Sequence, residues 1–114
     1  MPDADYVTSE LAALRLRLQR EETEELAEAI EAGDVVGVAD ALADLVYVAY
    51  GTAITYGIDL DAVLAEVHRS NMSKLGRDGR PVMREDGKVL KSPWYTSPDV
   101  DGVLKQQLPL PLAW

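Results

Sequence analysis

Cysteine is absent from all 114 residues, which removes disulfides, thiolate metal sites and cysteine nucleophiles together and suits a reducing compartment. Histidine occurs once, at His68, two residues after Glu66 and off its helical face, so the Glu-x-x-His pairs of a di-iron bundle are excluded. No GxxxxGK[ST] or GxGxxG run is present, and any phosphate would have to be held by basic side chains. The opening Met-Pro-Asp-Ala-Asp lacks the basic and apolar regions of a signal peptide, and the sequence reads as cytoplasmic. A mass of 12.5 kDa leaves room for one domain, and 47% hydrophobic with 27% charged residues is the composition of a soluble globular protein.

Positive charge is scarce as well. A net charge of −9 argues against a nucleic-acid partner, because phosphate binding is driven by Lys and Arg. The imbalance is uneven: residues 1–66 carry fifteen acids against Arg15, Arg17 and Arg20, whereas residues 67–114 carry five acids and eight bases. That split fits either a metal-binding half beside a phosphate-binding half or a basic tail packed on an acidic body.

Glycine and proline are missing from Ser9 to Ala32, a stretch rich in Leu, Ala, Glu and Arg that ends at Gly33, and the pattern predicts one long helix. Asp34 caps a second predicted helix from about Val35 to Tyr56, and Asp59 a third from Leu60 to about Met72. Short connections between long helices predict antiparallel neighbours. Between Ala41 and Ile58 the only charged residue is Asp44, so the second helix is expected to be central. The carboxylate, two glycines and several Ala and Thr argue against a membrane span. Three helices cannot cover such a helix alone, and a homo-oligomer is expected. Beyond Met72 the chain turns to Gly, Pro and short alternating runs, with a small hairpin expected from Val82–Arg84 and Lys88–Leu90, and an extended arm from Leu108 to Trp114. The expected architecture is all-α: an antiparallel helical bundle completed by oligomerisation, with an extended C-terminal tail holding a small β-hairpin. Its parts are an N-terminal segment (1–8), the helical domain (9–72) and the basic tail (73–114).

On the first helix, Leu18, Glu22, Glu25 and Ala29 fall within about 40° of the line through Leu11. Two carboxylates therefore lie in the apolar stripe, where an uncompensated charge costs several kcal/mol and calls for a basic partner, a proton or a cation. On the second helix Asp40 and Asp44 are four apart and share a face. Two antiparallel helices thus offer up to four converging carboxylates, a hard oxygen set suited to Mg²⁺ or Mn²⁺. At the end of the third helix Asn71 and Lys74 are three apart, and the tail adds Arg77, Arg80, Arg84, Lys88 and Lys91 as phosphate grips or solubilising charges. Trp94 and Tyr95 either stack on a base or anchor the tail.

The runs Leu14-Arg-Leu-Arg-Leu-Gln-Arg-Glu-Glu-Thr-Glu-Glu-Leu26, Asp40-Ala-Leu-Ala-Asp-Leu-Val-Tyr47 and Asn71-Met-Ser-Lys74 resemble the all-α nucleoside triphosphate pyrophosphatases, which include MazG-like proteins, dimeric dUTPases and phosphoribosyl-ATP pyrophosphohydrolases. The resemblance covers about residues 9 to 98. It implies a Mg²⁺-dependent site, within an oligomer, built from ExxE on one helix and ExxD on the next. Glu22, Glu25 and Asp44 match as metal ligands and catalytic carboxylates; the remaining Glu falls on Ala41, with Asp40 as its candidate replacement and Glu21 assisting. Asn71, Lys74, Lys88 and Lys91 match the phosphate-binding positions. The implied reaction is hydrolysis of the α,β phosphoanhydride of a (deoxy)nucleoside triphosphate or related nucleotide to a monophosphate and pyrophosphate. The alternatives are phosphoribosyl-ATP pyrophosphohydrolase of histidine biosynthesis, and a non-catalytic module that binds nucleotide or metal. The implied partners are the nucleotide and one or three further copies of the chain, with neither nucleic acid nor membrane.

Overall fold

A computed structural model describes residues 1–110. A 3₁₀ turn (Ala4–Tyr6) precedes α1 (Ser9–Glu31), α2 (Val35–Thr55), α3 (Leu60–Met72), strands β1 (Val82–Met83) and β2 (Val89–Leu90), and α4 (Val100–Gln106). The chain forms two compact units, one built on residues 2–58 and one on residues 59–108.

The first unit is the α1–α2 hairpin. Thr8 caps α1 by accepting from the Leu11 N–H at 3.1 Å. Gly33, at φ 66°, takes the left-handed conformation that ends the helix: its N–H donates to Ile30 O at 3.1 Å, and the Asp34 N–H reaches Ala29 O at 3.0 Å. The Asp34 carboxylate then accepts from the Gly37 N–H at 3.0 Å and opens α2. Three connecting residues, Ala32, Gly33 and Asp34, between helices of more than twenty residues leave only an antiparallel arrangement. α2 is poorly covered by its own chain: only Ala41 and Ala53 are buried, while Tyr47 is 83% and Val46 57% exposed. By length and composition α2 is also apolar enough to cross a membrane. Asp44 lies within this helix, and Arg15 of α1 donates to its Val48 carbonyl at 2.8 Å.

The second unit sets α3 against the segment that follows it. Asp59 caps α3 by accepting from the Ala62 N–H at 3.3 Å. The hairpin pairs Val82 with Leu90 and Met83 with Val89, one residue shorter on each strand than the expected pattern, and turns through Gly87 at φ 88°. The tail is not extended throughout, as the sequence suggested. Residues Val100–Gln106 form α4, because Asp99, directly after Pro98, caps it by accepting from the Gly102 N–H at 3.0 Å. The expected arm from Leu108 to Trp114 lies outside the described residues from position 111 onward.

Candidate metal centre

Glu22 and Glu25 are three apart on α1 and so lie side by side on the face turned to α2. Asp44 approaches from α2, and one carboxylate oxygen from each of the three lies within 4.8 Å of the others. Glu22 and Asp44 are half-buried and Glu25 is exposed. The Glu22 Oε2 atom is sealed from solvent and has no hydrogen-bond partner. Burial raises the Glu22 pKa above the ordinary carboxylate value; hydrogen bonding to Glu25 and the charges of Glu25, Asp44 and Asp40 push the same way. The ion pairs seen among the described residues lie elsewhere, at Glu66–Arg69, Arg84–Asp86 and Asp101–Lys105. An orphaned buried oxygen amid like charges, in an all-carboxylate donor set, is what a hard divalent cation would satisfy, so the residues fit a divalent metal site.

Asp40 and Glu21, the other two residues expected at the metal, are exposed and stand outside this trio. Asp40 instead lines an open groove of about 350 Å³ beside the cluster, together with Glu25, Glu28 and the small Ala29, Gly37 and Ala41. Ala41 is 3% exposed, so the position matched to the family's fourth carboxylate is a methyl packed at the groove wall.

One polar contact beside the cluster was not expected from the sequence. Arg15 lies in the α1–α2 seam and donates from Nη2 to Val48 O at 2.8 Å and from Nε to Thr52 Oγ1 at 3.1 Å. The signal was there: Arg15 precedes Glu22 by seven residues and falls on the same stripe, but it reads as one more charge on an acidic helix.

In the second unit a polar clasp fixes the tail on α3. Glu66 accepts from Arg69 Nε at 2.6 Å and Nη2 at 3.0 Å, and from the Asp99 N–H at 2.8 Å. Arg69 also donates to Thr96 Oγ1 at 2.6 Å and Ser97 O at 3.1 Å. Buried Ser70 donates to Thr96 O at 2.8 Å, and buried Ser92 to Ser73 O at 2.7 Å. The Arg69 hydrogen bonds, followed by that from the Asp99 N–H, bring the Glu66 pKa down to about 2. The clasp presents Tyr95, with Lys91 Nζ 4.8 Å and Lys74 Nζ 5.8 Å from its ring centroid; Arg77 lies 5.7 Å from the Trp94 ring. Two of the expected phosphate-binding lysines thus share one aromatic ring. Asn71 is exposed at the end of α3, and Lys88 is exposed on the hairpin, its backbone N–H donating to Asp86 at 3.1 Å.

Residues 2–71 match the family model described as phosphoribosyl-ATP pyrophosphohydrolase. The chain belongs to the phosphoribosyl-ATP pyrophosphohydrolase family. This is part of the MazG-like all-α nucleoside triphosphate pyrophosphatase superfamily, as the sequence resemblance implied, and its members are metal-dependent hydrolases of phosphoanhydrides. The span matched to the pyrophosphohydrolase family takes in Glu22, Glu25 and Asp44 and stops at Asn71, ahead of Lys74, Lys88 and Lys91. The chain is also similar to an uncharacterised protein of Acanthamoeba polyphaga mimivirus, 32% identical over 79 residues. That alignment covers 69% of this chain and 29% of the viral protein, so the chain spans less than a third of the relative's length.

Proposed function

We propose that this chain is a Mg²⁺- or Mn²⁺-dependent nucleotide pyrophosphohydrolase that cleaves the α,β phosphoanhydride of a (deoxy)nucleoside triphosphate or related nucleotide. The observation that carries this reading is the trio of Glu22, Glu25 and Asp44, one of whose carboxylates, that of Glu22, has a buried oxygen without a hydrogen-bond partner. A bound divalent ion supplies charge neutralisation at the phosphates and lowers the pKa of a water. Glu22, Glu25 and Asp44 would hold that ion, and one of them would take the proton of the attacking water as its oxygen bonds to the α-phosphorus. The bond from that phosphorus to the bridging oxygen breaks, and pyrophosphate leaves. Asn71, Lys74, Lys88 and Lys91 are the phosphate-contacting residues that the family resemblance implies, Lys74 and Lys91 lying against the one Tyr95 ring. Trp94, half-exposed, and Tyr95 serve as stacking surfaces for the base. Cytoplasmic location and the absence of nucleic-acid and membrane partners belong to the same proposal.

Two further readings rest on observations of their own. The family description favours phosphoribosyl-ATP as the substrate, which needs room for a second ribose phosphate. Ala41 in place of a fourth carboxylate favours a binding module without turnover. Pyrophosphate release across a panel of nucleoside and deoxynucleoside triphosphates and phosphoribosyl-ATP, with Mg²⁺ or Mn²⁺, separates the three. Turnover is expected, and Glu25→Gln or Asp44→Asn is expected to lower it by about two orders of magnitude or more while the protein stays folded. Full activity in both variants would exclude the assignment, and activity appearing only in Ala41→Glu would make the natural chain a binder.

A further inference from the structure

The α1–α2 hairpin carries a ladder that bears directly on the metal centre. Counting outward from Gly33, Ala29 faces Gly37, Glu22 faces Asp44, and Arg15 faces Gly51, so matched positions recur every seven residues on both helices, about 10.5 Å apart. A Cβ added at Gly37 would come within 3.2 Å of the Ala29 Cβ, and one at Gly51 would overlap Arg15 Nη2 and sit 3.1 Å from Cζ. A side chain at Gly37 would crowd Ala29 of α1, and one at Gly51 would displace the Arg15 guanidinium, so the two glycines bracket the carboxylate pair. The near side is held by the turn at Gly33. The far side is held by Arg15, whose guanidinium lies on the bare backbone of Gly51 and bonds Val48 O and Thr52 Oγ1 one helical turn apart.

We propose that Arg15 is a positioning residue that sets the register of α1 against α2, and thereby brings Glu22 and Glu25 within reach of Asp44. Like charges at Glu22, Glu25 and Asp44 push the two helices apart at the middle of the hairpin. The turn at Gly33 restrains only one end. Val48 O and Thr52 Oγ1 form a fork on α2 that a planar guanidinium matches and a lysine ammonium meets at one point only. Only glycine at 51 leaves space for it. A slip of a single residue would displace the carboxylates by about 1.5 Å along the axis, enough to spoil a coordination shell.

The inference rests on the metal reading given above, and its test separates the two. The chain lacks cysteine, so Glu22→Cys with Asp44→Cys provides a metal-free reporter of register: the rate of cross-linking by a short bifunctional thiol reagent. Placing Arg15→Met in that background is expected to slow cross-linking several-fold with helical content retained. In the chain with its carboxylates intact, Arg15→Met and Gly51→Ala are expected to weaken Mn²⁺ binding, read by electron paramagnetic resonance, by about tenfold or more, with Arg15→Lys recovering part of the loss. Slower cross-linking in Arg15→Met alongside no Mn²⁺ uptake by the unaltered chain would uphold the register role and remove the metal reading. Unchanged cross-linking and unchanged Mn²⁺ affinity in Arg15→Met would overturn the register role, even if the melting temperature fell.

Discussion

At the scale of single residues, the chain keeps a destabilising arrangement at the place where its chemistry would occur. Glu22 has an oxygen cut off from water and from any hydrogen bond, beside two more carboxylates. Such a group persists when function needs it and the fold can bear the cost. It follows that Glu22→Gln raises the melting temperature of the chelator-treated protein and at the same time abolishes the stabilisation that Mn²⁺ gives the unaltered chain. Differential scanning calorimetry with and without Mn²⁺ checks both. A lower melting temperature in the variant, with Mn²⁺ stabilisation intact, would mean that Glu22 is satisfied by protein contacts alone. Glu22, Glu25 and Asp44 were legible in the sequence because charge in an apolar stripe demands a partner. Asp40, one turn from Asp44, stands outside the trio and lines the groove that Glu25 also lines, its charge still acting on Glu22. Arg15 was illegible because its partners are a backbone carbonyl, a hydroxyl and the absence of a side chain, none of which leaves a charge pattern.

Among the elements, the three long helices were legible from Gly33, Asp34 and Asp59, and Thr8 and Gly57 complete these caps and stops. Thr8, Asp34 and Asp59 each accept from a backbone N–H three residues on, and Gly33 and Gly57 take positive φ where the first two helices end. α4 was hidden because its apolar residues Val100, Val103 and Leu104 make only one helical repeat in seven residues, with a glycine in the first turn, and the Asp99 cap follows a proline that reads as loop. The tail is tied to α3 in part by polar bonds centred on Glu66, which hydrophobic patterning does not reveal. The clasp has a pH signature. Because folding lowers the Glu66 pKa to about 2, its contribution is complete above the ordinary value of 4.5 and is lost as pH falls from there toward 2. Amide exchange at Asp99, whose N–H donates to Glu66, is expected to accelerate across that window, beyond the intrinsic pH dependence, and Glu66→Gln is expected to remove the dependence. Protection at Asp99 that stays constant to pH 2 would show that the clasp does not depend on the Glu66 charge.

For the whole molecule, the decisive feature is how little of α2 one chain can cover. Tyr47, Val46 and Leu42 are exposed at 83%, 57% and 49%, and Leu16 on α1 at 51%. An apolar surface of this extent on two adjacent helices calls for a partner, and we propose a second copy of this chain, in a homodimer or homotetramer. Light scattering after size exclusion is expected to return a multiple of 12.5 kDa, and Tyr47→Glu to shift the population toward the monomer. A stable monomer of the unaltered chain would remove this proposal. The central claim, that two helices of this chain converge three carboxylates on one divalent ion, is tested most directly by crystals grown with Mn²⁺ and mapped by the anomalous signal of manganese. The account predicts a peak about 2.1 Å from oxygens of Glu22, Glu25 and Asp44. A map with no peak there, or one in which the three side chains turn away from one another into solvent, would contradict it.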